Sequence, residues 1–372
     1  MRVTNLLGYP AIVLAFVSHR LAHGASWEPV ATFTLAAIGV VPLALLMGAA
    51  TEGLAVRLGP TWGGLLNATF GNAAELILAI IALTKGLNSV VKASVTGSIL
   101  GNLLLVAGGA MVVGGWRRKE QTFNLHAAEA NAGLLSIAVA AMLCPAIFHF
   151  SAERMHDIQL SEHEWGVSLC TGIVLLIVYG FGLLFTLRTH SHLFCTGPHG
   201  ASSSGKRELS VRQSILMLLL AAAGIALVGE LLVGSAAAVA DSFGWSPVFV
   251  GVILLAIVGN AAEHTTAVQL AHADDMETAM TITYQSSLQI ALFVTPVLVF
   301  TSAALVALGF EQAAHLDLVF TPLEVVSVML TMFTVVVLMM DGRTNWFEGV
   351  LLLALYLILG IAFFFVPATP AS

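Results

Sequence analysis

Stretches of about twenty apolar residues, the length a helix needs to cross the hydrocarbon core of a bilayer, recur from one end of this chain to the other. A backbone immersed in lipid must satisfy its own hydrogen bonds, so the sequence calls for a bundle of membrane-spanning helices. Composition agrees. Hydrophobic residues make up 58% and charged residues 9%, against roughly 25% charged in a soluble domain, too few to cover a surface facing water. A net charge of −7, with no basic run longer than Arg117-Arg118-Lys119, excludes a nucleic-acid binder, and the composition also excludes a soluble enzyme or a disordered chain. Cys144, Cys170 and Cys195 are odd in number, far apart and without CxxC spacing, so no disulfide framework is expected.

Eleven spans are predicted, near 5–22, 30–51, 62–84, 91–114, 126–149, 165–187, 212–240, 246–271, 279–309, 318–340 and 346–366. The fold class is an all-α polytopic membrane protein. Its expected parts are a first transmembrane helix (1–29), an N-terminal five-helix repeat (30–187), a cytoplasmic linker (188–211) and a C-terminal five-helix repeat (212–372). The first segment also has a signal-peptide look, with Arg2 ahead of an apolar run and small residues at 22–25; a span fits a chain that is hydrophobic throughout better. Lys and Arg set the orientation. Arg2, Arg57, Arg117, Arg118, Lys119, Arg188, Lys206, Arg207, Arg212 and Arg343 fall on one side, and Arg20, Lys85, Lys92 and Arg154 on the other. The positive-inside rule then places the N-terminus and the linker in the cytoplasm and the C-terminus outside.

One phrase occurs twice. Gly71-Asn72-Ala73-Ala74-Glu75 returns as Gly259-Asn260-Ala261-Ala262-Glu263, 188 residues later, and the same offset aligns Ser98 with Ser286. The first glutamate lies in the third span and the second in the eighth, so the two copies enter the membrane in opposite directions. Inverted repeats of this kind build secondary transporters, whose sites lie where the halves meet.

An acidic residue inside a span costs roughly 2.5 to 3.5 kcal/mol on insertion scales, and packing gives no reason for one. Asn72 and Asn260 each precede a glutamate by three residues, so amide and carboxylate share a helical face. Two such clusters offer carboxylate and carbonyl oxygens, the ligands of Ca²⁺, Mn²⁺ or Mg²⁺. Emptied of a cation, the same pair takes up protons, because burial and a second carboxylate both disfavour the ionised form. Cation and proton compete, and competition becomes exchange if the protein changes face only when the charge is neutralised.

Polar residues of the companion spans supply neutral ligands: Ser98, Asn102, Ser286 and Gln289, with Gln285 and Ser287 beside them. Gly97, Gly101, Gly108 and Gly109 allow close helix approach and local unwinding. Glu52 and Glu230 read as proton or cation relays, with an interfacial role for Glu52 as the alternative. Glu324 reads as relay, ligand support or polar helix contact, and His264 as a tuner of Glu263. Asp274, Asp275 and Glu277 form an acidic turn, either simply solvated or gathering cations on the cytoplasmic side.

GNAAELILAI (71–80), KASVTGSILGNLLLVAG (92–108), GNAAEHTTAV (259–268), QSSLQIALFV (285–294) and DGRTNWFEG (341–349) resemble the Ca²⁺/H⁺ antiporters, the CAX branch of the cation/Ca²⁺ exchanger superfamily. The resemblance runs along most of the chain. It implies an extra first helix with two inverted five-helix halves, Glu75 and Glu263 as central cation and proton carriers, and export of cytosolic Ca²⁺ driven by inward proton movement. It departs from the pattern at 188–212, where many members carry an acidic run and this chain has only Glu208. The expected partners are Ca²⁺, protons and the bilayer, with no cofactor and no nucleic acid, and homo-oligomerisation is left open. A prokaryotic inner membrane is expected, with an organelle such as a vacuole as the alternative. Rival readings are a Na⁺/H⁺ or K⁺/H⁺ antiporter, a Na⁺-driven Ca²⁺ exchanger, and a channel. An intramembrane zinc enzyme is disfavoured, since Glu263-His264 and His163-Glu164 lack an HExxH frame.

Overall fold

The computed structural model describes residues 2–22, 24–155, 163–191 and 210–367. Most of the expected linker, with Cys195, Lys206, Arg207 and Glu208, lies outside the described residues. The helices in chain order are α1 (Arg2–Leu21), α2 (Glu28–Gly59), α3 (Trp62–Thr84), α4 (Asn88–Gly115), α5 (Leu125–Ser151), α6 (Glu164–Thr189), α7 (Val211–Phe243), α8 (Pro247–Gly259), α9 (Ala261–His272), α10 (Met276–Ala307), α11 (Pro322–Leu338) and α12 (Trp346–Phe364). Among the described residues, eight are long and apolar enough to cross a membrane, and α8 with α9, bent by 59°, makes a ninth if taken as one span. α1, whose apolar part is Leu7–Leu21, and α11 are shorter.

Helices appear in the expected order, but among the described residues eight reach spanning length, or nine with the bent pair counted as one, rather than the eleven expected. The eighth is broken, which hydropathy alone does not show. α11 is trimmed at its start because Thr321 caps it ahead of Pro322, and the apolar residues before it are not helical. There Leu316, Leu318 and Phe320 are buried without helical hydrogen bonds. The N–H groups of Leu316 and Leu318 donate instead to Ser302 Oγ (2.8 Å) and Ser168 Oγ (2.9 Å), which satisfies backbone that would otherwise be stranded away from water.

Local chemistry explains the other ends. Ser210 and Gln213 form a capping box at the start of α7, and Gly244, in the left-handed region, ends it. Ser246 with Pro247 starts α8, and Asp275 caps α10 through the N–H of Thr278. A two-stranded antiparallel pair, Gln121–Thr122 with Arg343–Thr344, joins the chain after α4 to the chain before α12. Outward faces carry Ile177, Phe181, Leu219, Phe333, Leu357 and Ile358, all exposed, as lipid contact requires.

Two compact units make up the chain: 1–97 with 204–262 and 362–372, and 98–203 with 263–361. Each draws elements from both sequence halves. In the first, α2 lies along α7 and α1 packs on α2, with Gly39 against Ile12 and Gly224 against Leu43. The first part of α4 crosses α8 so closely that a Cβ on Gly97 would run into the Val252 carbonyl. In the second, the rest of α4 meets α9 at Gly101, Gly109 and Gly114, and meets α12 where Gly108 faces Gly349. Of the expected glycine contacts, Gly97 and Gly108 meet backbone closely, whereas Gly101 and Gly109 meet the His264 ring and a Val268 methyl at ordinary contact distance. Instead of unwinding, α4 widens into a π-helical turn at Gly101–Val106.

Candidate cation site

The repeat read from sequence is also present in the backbone. Asn72 breaks α3 at φ −102°, ψ 31°, and Asn260 separates α8 from α9 at φ −89°, ψ 13°. The π-helical turn of α4 has a counterpart at Ile290–Val294 in α10, and Gly86 at φ 70° is matched by Asp274 at φ 72°. The breaks and the left-handed residues fall on the 188-residue offset, and the two π turns end on it, at Val106 and Val294. Each copy is a broken span, a tight turn with one left-handed residue, and a span widened by a π turn next to its serine.

The break fixes where the glutamates stand. Both Glu75 and Glu263 occupy the first turn of the half-helix that follows the break. There the unsatisfied N–H groups and the positive end of the helix dipole favour negative charge. Broken spans thus offset part of what it costs to place a carboxylate in lipid.

In the first unit Asn72, Glu75 and Asn260 are buried, Glu75 being 7% exposed. Asn260 donates through Nδ2 to the Ala256 carbonyl (2.8 Å), which leaves its own oxygen for other partners. Gly259 makes room for Glu75: a Cβ there would stand 3.2 Å from Glu75 Cγ. From Glu75 a narrow cleft runs between Leu78, Ala79 and Ala82 of α3, Ser94 of α4, Val233 of α7 and Gly259 of α8, with room for about one water molecule.

In the second unit Glu263 is partly buried, and its Oε2 is buried without a hydrogen-bond partner. Ser98, Asn102, Ser286, Ser287 and Gln289 are all buried. Asn102 Nδ2 donates to Ser286 Oγ (2.8 Å), so two of the expected ligands from opposite repeats meet. Ser287 instead donates to the Thr283 carbonyl (2.9 Å). Gln285 Nε2 donates to Asn131 Oδ1 (3.4 Å), and Asn131, buried in α5, was not among the expected residues. Its signal was available: an amide within an apolar span. Ser94 carried no such signal, because only the packing of α4 against α3 brings it to the cleft. His264 turns its ring toward Gly101, with Nε2 buried and unpartnered.

The other acids have specific partners. Glu230, its side chain 55% exposed, pairs with Lys85 at 2.6 Å. Glu324 Oε2 accepts from the Thr321 N–H (2.9 Å) and Thr321 Oγ1 (2.7 Å), completing the capping box of α11. Glu52 is exposed. In the acidic turn, Asp274 binds Arg118 (2.8 Å) and Gln121 (3.3 Å) while Asp275 caps α10, so two of its three acids hold the turn in shape. In DGRTNWFEG, Gly342 turns the chain at φ 68°, and Asn345 accepts from the N–H groups of Phe347 and Glu348 while donating to Glu348. That motif therefore sets the start of α12 and its close crossing at Gly349. Cys144 and Cys170 are free. Among the described residues no three His, Cys, Asp or Glu side chains gather as a metal-binding group.

The model of the sodium/calcium exchanger protein family matches residues 28–188 and 213–365. The chain belongs to that family. The match begins where α2 begins, leaving α1 outside it. Among its relatives, a Ca²⁺/H⁺ antiporter of Aphanothece halophytica is 43% identical over 362 residues, 94% of each chain. The Ca²⁺/H⁺ antiporter ChaA of Bacillus subtilis is 40% identical over 361 residues, 96% of each. The solved structure of native YfkE superposes with a TM-score of 0.79 at 37% identity, covering 98% of this chain and all of that one. The H⁺/Ca²⁺ exchanger CAX, at 13% identity and a TM-score of 0.65, shares the fold. The resemblance carried by the paired GNAAE motifs and the all-helical exchanger architecture are thus both found.

Proposed function

We propose that this protein is a Ca²⁺/H⁺ antiporter exporting cytosolic Ca²⁺ in exchange for protons, by alternating access, with Glu75 and Glu263 as the two carboxylates that carry either cargo. Relatives with that name, aligned over nearly the whole chain, support the exchange. The observation that carries the assignment to these residues is their equivalent setting: each follows an asparagine at a helix break and stands in the first turn of a half-helix. Such a carboxylate is pulled two ways. The helix end favours its charge and the surrounding apolar chain opposes it. A group so balanced exchanges a cation for protons at small cost, whereas one held firmly in either state would retain its cargo.

In this reading Asn72, Asn260, Ser98, Asn102, Ser286 and Gln289 contribute neutral oxygens, which suit a hard divalent cation. Glu52 and His264 are assigned to the access paths, and Glu230 and Glu324 act through the partners described above. The repeats are 30–187 and 212–372, each supplying one glutamate and one serine-bearing span, with 1–29 as an added helix and 188–211 as the cytoplasmic link. Two carboxylates neutralise one divalent ion or take up protons in its place, and the change of face follows neutralisation.

The test is Ca²⁺-dependent proton movement in inside-out vesicles. Native protein exchanges the two ions under an imposed pH gradient, and Glu75→Gln or Glu263→Gln each abolishes it; full activity in either variant overturns the mechanism. The family's description also names sodium, so the same uptake is measured with Na⁺ omitted. Undiminished Ca²⁺ uptake there removes a Na⁺-driven exchanger, and uptake that requires Na⁺ replaces the present reading with it.

A further inference from the structure

We propose that the strand pair and the start of α12 build a binding site for a hard divalent cation, separate from Glu75 and Glu263, with Thr344 and Glu348 as its central ligands and Gln121 and Asp341 beside them. All four residues belong to the second unit. The site takes in the DGRTNWFEG motif, to which the exchange reading gives only a structural part. Capping α12 uses Asn345 and one oxygen of Glu348, since Asn345 Nδ2 donates to Glu348 Oε1 at 2.6 Å. Glu348 Oε2 is left buried without a hydrogen-bond partner. Thr344, 1% exposed, turns its hydroxyl toward that carboxyl group, and its Oγ1 is likewise buried and unpartnered. Capping a helix requires neither feature.

Gln121 stands directly opposite Thr344 in the strand pair, so the two side chains lie on one face with Cβ atoms about 5 Å apart. It is 5% exposed. Its Nε2 donates to Asp274 Oδ1 (3.3 Å), which leaves Oε1, buried and unpartnered, as a third oxygen of the same kind. Glycine makes the room: a Cβ on Gly114 would run into Gln121 Oε1, and one on Gly115 would stand 2.7 Å from the Trp346 nitrogen. The local charges favour a cation. Asp341 is near enough for its carboxylate to act on Glu348. The two arginines at hand are engaged elsewhere, Arg118 with Asp274 (2.8 Å) and Arg343 with Glu120 (3.1 Å), and Arg343 is on the exposed face of its strand while Thr344 is on the buried one. Two carboxylates, a hydroxyl and an amide carbonyl suit Ca²⁺ or Mg²⁺, and the set lacks the imidazole or thiolate that softer metals prefer. With only two acids supplying charge, the cation binds weakly and exchanges readily. The site lies on the side that bears Arg117, Arg118, Lys119 and Arg343, cytoplasmic by the positive-inside rule.

The experiment reads binding, independently of transport. Tb³⁺ takes the same oxygen ligands, and a neighbouring indole sensitises its emission. Trp346 lies between Thr344 and Glu348 in the chain, and the Trp116 ring is 6.4 Å from it. Purified full-length protein, native and with Glu75→Gln and Glu263→Gln together, is titrated with Tb³⁺ under tryptophan excitation. Emission rises to saturation in both and is reversed by Ca²⁺. Thr344→Val and Glu348→Gln each abolish it, while Thr344→Ser, which keeps the hydroxyl, retains it. Asp341→Asn, at an exposed residue where folding is not at stake, weakens binding and decides the matter if the buried variants fold poorly. Absence of emission in the native chain overturns the site, as do titrations unchanged by these substitutions. Emission that survives Trp116→Phe with Trp346→Phe overturns it too, since the ion is then bound elsewhere. The form without Glu75 and Glu263 gives its answer whether or not those residues carry the transported ions.

Discussion

Glu324 and Glu75 are both buried carboxylates in apolar surroundings, and their environments separate them. Glu324 accepts two hydrogen bonds from Thr321 and holds the first turn of α11, a role that Thr-x-x-Glu spacing announces in sequence. Glutamine preserves the acceptor, so Glu324→Gln should leave exchange and thermal stability near native, whereas Glu324→Ala should cost about 1 kcal/mol of stability, read as a lower unfolding temperature in detergent. Loss of exchange in Glu324→Gln would make this residue a proton relay. Asn72, Asn260, Glu75 and Glu263 stand out in the sequence because lipid makes every polar side chain conspicuous, and the structure places the two asparagines at helix breaks and the two glutamates in the turns that follow. Asn131 was equally conspicuous and has no counterpart on the repeat offset, since 188 residues later the chain has Val319, which is why the repeat did not draw it out.

At the scale of elements, hydropathy placed the helices and glycine decided how closely they cross. Gly97 faces the Val252 carbonyl and Gly349 faces the Gly108 carbonyl at 2.6 Å from its would-be Cβ. Backbone cannot move aside as a flexible side chain can. Gly97→Ala and Gly349→Ala should therefore each destabilise by about 1 to 3 kcal/mol, seen as reduced yield of monodisperse protein and a lower unfolding temperature. Gly133→Ala, with open space around it, is the control and should be neutral. Unchanged stability in the first two variants would show that these crossings relax. The breaks at Asn72 and Asn260 and the π turns beside Ser98 and Ser286 were not legible, because a break leaves the apolar content of a span unchanged.

For the whole molecule, the distribution of Lys and Arg predicts a cytoplasmic N-terminus and an outer C-terminus. Alkaline phosphatase fused after Phe364 should be active and a green fluorescent protein fused there dark; the reverse result would invert the orientation and, with it, the side on which Lys85 stands. The sequence by itself determined that this chain lies in a membrane and that it contains a repeat of opposite sense, and it singled out two carboxylates inside that repeat. Each conclusion follows from free energies large enough to read residue by residue: burial of apolar surface, the cost of charge in lipid, the bias of basic residues. Tertiary structure alone decided that Lys85 meets Glu230, that Asn102 meets Ser286, and that Ser94 lines the cleft from Glu75. Those pairings join residues far apart in the chain, and they depend on ångström-scale approaches set by glycine and by broken helices, which no periodicity in one dimension encodes.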